Sequence, residues 1–289
     1  MLKLTRQQKI KFTSDEYTLN VSPHPQKSKR FIPSWFKKLP KHAIPDAPRF
    51  GRTVKTCVPF LDAISCGYII PAWRDFFVVC YYPVQFYDTE GNTLFEEDVP
   101  NPEMAMQYLG KPFDDTGRVA SYFKRSKSLK VSFSTEPSSD YKEGESGYGG
   151  NEVGTHDVGQ VKGSPVEDYK VGKFIGKLNN PWLIETPKGW SMLFTNPLNR
   201  WSNLEIVSGI VDTDSYHSHV NFPFFWRGSE EGEWVIKKGT PLINCIPIKR
   251  SSPSMKVSLI DKKKWKNFWN NWEVSKLDFY KINNWHKKR

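Results

Sequence analysis

Five side chains between positions 212 and 219 have types and spacing that could do chemistry: Asp212, Asp214, Tyr216, His217 and His219. A carboxylate can act as a general base toward water. Two imidazoles two residues apart on a strand share one face, where a carboxylate such as Asp214 would complete a zinc or iron site. No third ligand follows at a recognised spacing, so a pair of packed or solvated histidines is the simpler reading, and no metal is expected. Cys57, Cys66, Cys80 and Cys245 contain no Cys-x-x-Cys pair and sit in apolar runs, as small buried thiols do. Glu96, Glu97 and Asp98, and Glu230, Glu231 and Glu233, read as solvated turn edges. Gly147-Tyr148-Gly149-Gly150 lacks the lysine and the flanking strand of a phosphate cradle. No cofactor is implied.

The elements that must position these residues follow from hydrophobic periodicity and turn chemistry. Residues 171–257 contain short apolar or β-branched runs at Trp182–Ile184, Trp190–Phe194, Leu204–Val211, Val220–Trp226, Trp234–Ile236 and Leu242–Ile248. Turn signals such as Pro187-Lys188-Gly189 and Lys238-Gly239 separate them, which predicts an all-β body, a β-sandwich or β-clip-like barrel of short antiparallel strands. Further strands are expected at Val58–Leu61, Tyr68–Ile70, Phe76–Tyr82 and Ser128–Ser134, with a hairpin turn at Asp88–Asn92 and a short helix at Pro102–Leu109. Six prolines between Pro23 and Pro48 make residues 1–56 an extended arm, with one helical turn at Ser34–Lys38. Residues 137–170 form a polar, glycine-rich insertion. In 261–289, Trp265, Trp269 and Trp272 share one face of an amphipathic helix that Asp261 caps. The chain thus divides into a basic arm (1–56), a β-rich body (57–260) and a basic Trp-rich helix (261–289).

Charge follows the same division. The net charge is +11 over 289 residues, yet the body is mildly acidic and both ends are strongly basic. Aromatic residues make up 15% of the chain, and they interleave with lysine in Arg30–Lys38 and Lys264–Trp272. Ends of that kind are built to touch something acidic. No apolar run approaches the roughly 18 residues of a membrane span, and Met1–Lys9 has no apolar core of a secretory signal. No membrane partner is expected, and the chain is expected to be neither secreted nor transmembrane.

Gly209-Ile210-Val211-Asp212-Thr213-Asp214-Ser215-Tyr216 resembles the third motif of the trimeric dUTPases: Gly, two aliphatics, Asp, any residue, Asp and Tyr, here with Ser215 added before the Tyr. Trp234–Ile246, with Lys238-Gly239 at its turn, resembles their later hairpin. The resemblance implies a β-clip fold across 208–250, with Asp212 as the water-activating base and Tyr216 as the sugar contact. Asn196-Pro197-Leu198-Asn199-Arg200 stands where that family has its Arg-Ser phosphate motif, and a Trp/Lys helix stands where it has a Gly-rich arm. Three longer blocks, Thr56–Pro71, Asn180–Phe194 and Gly209–Trp226 with Gly239-Thr240-Pro241, resemble an uncharacterised family of tailed marine phages, cyanophages included, with bacterial relatives. The basic ends lie outside that resemblance.

The expectation is a non-enzymatic phage structural or assembly protein, virion-associated and found in the virion or the host cytoplasm. It would self-associate or dock on other phage structural proteins through Trp35, Phe36, Lys37, Lys38, Trp265, Trp269, Trp272 and Trp285. One alternative is a nucleotide-processing or metal-dependent enzyme on the dUTPase-like body. It would use Asp212 and Tyr216 for catalysis, or His217, His219 and Asp214 for a metal. A second alternative is a nucleic-acid binder that uses the basic ends, with a steep salt dependence.

Overall fold

The computed structural model describes residues 9–43, 51–97, 106–110, 118–127, 129–135, 152–156, 158–163, 175–275 and 279–286. Expectations for residues 1–8, Pro45, Pro48, Asp98, Pro102–Ala105, Ser128 and most of the 137–170 insertion fall outside these residues. The strands in chain order are β1 (Lys11–Thr13), β2 (Gln26–Lys27), β3 (Tyr68–Pro71), β4 (Phe76–Tyr81), β5 (Val84–Tyr87), β6 (Thr93–Glu97), β7 (Tyr122–Arg125), β8 (Lys130–Ser134) and β9 (Val153–Thr155). They continue with β10 (Ile175–Leu178), β11 (Leu183–Glu185), β12 (Trp190–Thr195), β13 (Leu204–Ile206), β14 (Gly209–Val211), β15 (Phe222–Trp226), β16 (Gly232–Ile236) and β17 (Pro241–Lys249). The helices are α1 (Glu16–Val21), α2 (Ser34–Lys38), α3 (Val58–Ile64), α4 (Lys262–Ser275) and α5 (Phe279–Asn283).

The chain is all-β, in several small antiparallel sheets. The largest runs β14-β12-β17-β3-β2, and a second runs β13-β15-β10-β9. Both sheets end in open edges, so the described strands close no barrel and form several small antiparallel sheets instead. β17 is central because Leu242, Ile243, Asn244 and Cys245 are all buried, as in a strand packed on both faces. Pro247 is tolerated there because pairing with β3 stops at Cys245, and only β12 continues alongside.

The expected run Leu204–Val211 is two strands. β13 pairs with β15 in one sheet and β14 pairs with β12 in the other, and the chain crosses between sheets at Val207 and Ser208. Between them lies the core, where Trp182, Phe76, Phe222, Phe224, Met192 and Ile70 are fully buried. Transfer of such side chains from water contributes roughly 1.5–3 kcal/mol each. A satellite sheet, β6-β5-β7, buries Val84, Phe86 and Ala120 in its own small cluster. Its β5–β6 turn is the expected one: Asp88 Oδ1 accepts from the Glu90 and Asn92 amides, and Gly91 takes φ +86°.

Three expectations are corrected. Val58–Leu61 belongs to α3, not a strand. Pro59 fits the first helical turn and the helix runs to Ile64, after which Gly67 turns the chain at φ +70°. Residues 106–108 form a 3-10 turn within the expected 102–109 helix. The first segment is less of a free arm than its prolines suggest. β1 pairs with β11, β2 pairs with β3, and buried Ser28 donates through Oγ to the Cys66 carbonyl at 2.7 Å. α1 is capped by Asp15, whose Oδ1 accepts from the Thr18 amide at 2.8 Å. The helical turn expected at Ser34–Lys38 is α2.

Candidate functional site

The Asp212 to His219 stretch lies after β14, in a turn closed by the Asp212 carbonyl, which accepts from the Ser215 and Tyr216 amides. The strand that would have aligned the two histidines does not form. Tyr216 and His217 are exposed, and His219 Nδ1 lies 3.0 Å from the Asn180 carbonyl oxygen. Asp212 and Asp214 meet at Arg250, just past β17. Arg250 Nη1 donates to Asp214 Oδ1 at 2.8 Å and lies 3.0 Å from Asp212 Oδ1, while Nη2 pairs with Asp214 Oδ2. Asp214 Oδ2 also accepts from the Gly189 amide at 2.8 Å, and Asp212 Oδ1 from Ser191 Oγ at 2.6 Å.

These contacts set the titration of both carboxyls. Bonds from Arg250, then from the Gly189 amide, hold Asp214 down at about 2. The Ser191 hydroxyl and then Arg250 lower Asp212. A carboxylate held ionised by donors is a weak proton acceptor, whereas a general base works best with a pKa near the operating pH. The geometry makes Arg250 a clasp. It ties the turn before β12, the turn after β14 and the end of β17 together. Among the described residues, no group of three or more His, Cys, Asp or Glu is placed to hold a metal ion. The four cysteines are free, with Cys80 and Cys245 buried and Cys57 exposed. Burial pushes the Cys245 thiol up, which makes it an inert core group.

The aromatic candidates separate into two places. Phe36 is buried and stacked on Phe60, with centroids 5.6 Å apart and planes 12° apart. Lys55 Nζ sits 5.0 Å above the Phe36 ring and donates to the carbonyls of Phe36 and Lys37. Trp35 turns outward and meets Trp201 at 6.2 Å, while Lys37 and Lys38 are exposed.

The second place is the C-terminal segment. From Arg250 to Asn271 every residue is exposed. That stretch includes Met255, Val257, Ile260 and Leu259, the last 99% exposed. In α4 the rings of Trp265, Phe268, Trp269 and Trp272 form one contiguous ladder, with Trp265 and Trp269 5.5 Å apart and Trp269 and Trp272 5.1 Å apart. Asp261 is the expected cap, its Oδ1 accepting from the Lys263 and Lys264 amides. Trp285 returns to the body, where Nε1 donates to Asp62 Oδ2 at 3.0 Å.

Two residues to which the sequence assigned no role organise the body. Asn244, buried in β17, donates through Nδ2 to the carbonyls of Cys66 and Tyr68 at 3.0 and 3.1 Å and to Ser28 Oγ at 3.3 Å. Arg200 donates through Nη2 to the Ile64 and Ser28 carbonyls. A polar residue inside the apolar run Leu242–Ile248 was the available signal for Asn244. Arg200 had none beyond its turn.

No protein-family model matches this chain, and no curated protein matches it. Among solved structures, the chain is similar to a dUTPase from phage phi11 of S. aureus, at 15% identity and a TM-score of 0.22 over 28% of this chain and 70% of that one. It is similar to the dUTPase of Staphylococcus bacteriophage 80alpha at 14% identity and a TM-score of 0.22, over 30% of this chain and 74% of that one. The likeness is local, covering under a third of the chain. No helix among the described residues is long and apolar enough to cross a membrane.

Proposed function

We propose that the protein is a non-enzymatic structural or assembly protein of a phage, docking on neighbouring subunits through its basic, aromatic C-terminal segment. One observation carries the reading: the chain leaves β17 and runs exposed through Met255, Val257 and Leu259 into a helix whose Trp face is open. A helix of 14 residues is marginal by itself in water, and its stability depends on burying its apolar face. Contiguous exposed apolar surface rimmed by charge is the signature of an interface. Tryptophan anchors are what such interfaces concentrate their energy in.

Electrostatics supports the direction of docking. The Lys262–Lys264 cluster and Lys266 favour an acidic surface, and the body of a neighbouring copy is net acidic. The carboxylates that the enzyme alternative would use are engaged by Arg250, Ser191 and the Gly189 amide, which favours the assembly reading over catalysis at Asp212.

Hydrogen exchange tests the proposal. Amides of 251–275 should exchange rapidly in dilute protein and become protected as concentration rises or when phage structural proteins are added. Exchange that stays fast in every mixture would refute docking through this segment.

A further inference from the structure

We infer that the cavity between the α2 segment and the turn after β12 binds single-stranded nucleic acid, with a base stacked on Trp201. The cavity encloses about 940 Å³, the size of a site for a nucleotide-sized group. Its walls are flat and apolar: Phe31, Trp35, Pro197, Trp201 and Leu242. Trp201 is 82% exposed, so it offers an open aromatic face at the mouth, while Trp35 braces it from one side. Most of this indole is left uncovered by the fold. Fully exposed planar bases are a property of single strands, and aromatic platforms bind them with little sequence preference.

The charges around the cavity select an anion. Arg200 lies in its wall, presented by Asn199, the one non-glycine residue among those described with positive φ, at +55°. The Arg200 guanidinium uses Nη2 to hold the Ile64 and Ser28 carbonyls, while Nε and Nη1 are buried without a hydrogen-bond partner. No carboxylate pairs with it among the described residues. Glu205, the acid in the wall, is engaged by Arg227. On the chain segment that forms the opposite wall, Lys29, Arg30, Lys37 and Lys38 are all exposed, and the sequence has no acidic residue between Glu16 and Asp46. These four cations flank the lining stretch Phe31–Trp35 in sequence, and cations beside stacking rings are what tracks a phosphate backbone while its bases are held. An apolar peptide would use the rings but gain nothing from the exposed Lys29, Lys37 and Lys38.

The test uses the full-length protein, a fluorescein-labelled oligothymidylate and fluorescence anisotropy across a salt series. The wild type should bind the single strand at low salt and bind a duplex of equal length more weakly. Trp201→Ala should lose about tenfold or more in affinity, the scale of one stacked base, with an unchanged salt slope because every cation remains. Trp201→Phe should restore most of the loss, since a phenyl ring still stacks. Equal binding by Trp201→Ala and the wild type would overturn the inference, because the basic ends alone would then hold the strand. Tighter or equal binding of the duplex would overturn it too, as would absence of binding to either.

Discussion

Replacement of Asn244 by alanine should unfold the junction where β17, β3 and the first segment meet. The Asn244 side chain is 1% exposed, and its amide distributes two hydrogens over the Cys66 carbonyl, the Tyr68 carbonyl and Ser28 Oγ. Its Oδ1 lies 3.4 Å from the Leu198 amide, at the start of the turn that carries Arg200. Two lost donors at a net ~0.5–1.5 kcal/mol each, plus the cost of a buried acceptor left without a partner, give about 2–4 kcal/mol. For a chain of 289 residues that corresponds to a fall in Tm of roughly 3–7 °C. The Cys66 carbonyl keeps the Ser28 hydroxyl, which places the estimate below the sum of all three contacts. Asn244→Asp is the sharper companion, because it puts a carboxylate against three oxygens and should cost more than alanine. Thermal melts and urea titrations read both variants. An Asn244→Ala midpoint within about 0.5 kcal/mol of wild type, or an aspartate variant as stable as wild type, would refute the reasoning.

Other substitutions test other joints of the fold. A β-carbon on Gly67 would lie 2.3 Å from the Cys245 carbonyl oxygen at φ +70°, so Gly67→Ala should be strongly destabilised, and a melt unchanged from wild type would contradict that packing. Phe36→Ala, which empties the stack on Phe60, should cost about 3–5 kcal/mol in urea titration; an effect below ~1 kcal/mol would place Phe36 on the surface. Asp214 has a depressed folded-state pKa, so its contribution to stability is full above the ordinary carboxylate value of 3.8 and is lost as pH falls toward about 2. Arg250→Met removes the main cause of that depression and should flatten the decline in urea midpoint across this window; an identical acid limb in both proteins would refute the clasp. Trp285→Phe deletes the bond to Asp62 and should speed amide exchange in 279–286 without lowering the melting temperature of the body.

The strands were legible wherever alternation or a turn pair was strong. Trp190–Phe194, Val220–Trp226 and Leu242–Ile248 contain β12, β15 and β17 almost to the residue, because apolar burial on a pleated surface leaves a period that composition alone displays. Val58–Leu61 misled because a short apolar run satisfies strand and buried helix alike; Pro59 and the later Gly67 were the arbiters. The sheet crossing at Val207–Ser208 was hidden because both strands are apolar and only pairing partners distinguish them. The cluster after β14 was found by residue type, yet its chemistry depends on Arg250, which lies 36 positions beyond Asp214 and carries no local signal for pairing. The Trp face of α4 was legible from spacing alone, since helical periodicity needs no tertiary information. Its exposure was not, because whether a face is covered depends on everything else in the chain.

We propose that the exposed Trp face of the C-terminal helix acts as an assembly device. Light scattering of the full-length protein, compared with the full-length Trp265→Ser, Trp269→Ser, Trp272→Ser variant, tests it directly. The wild type should be an oligomer and the variant a folded monomer. A wild type that stays monomeric at every concentration and with phage structural proteins added, or a variant that retains the wild-type oligomeric mass, would contradict it.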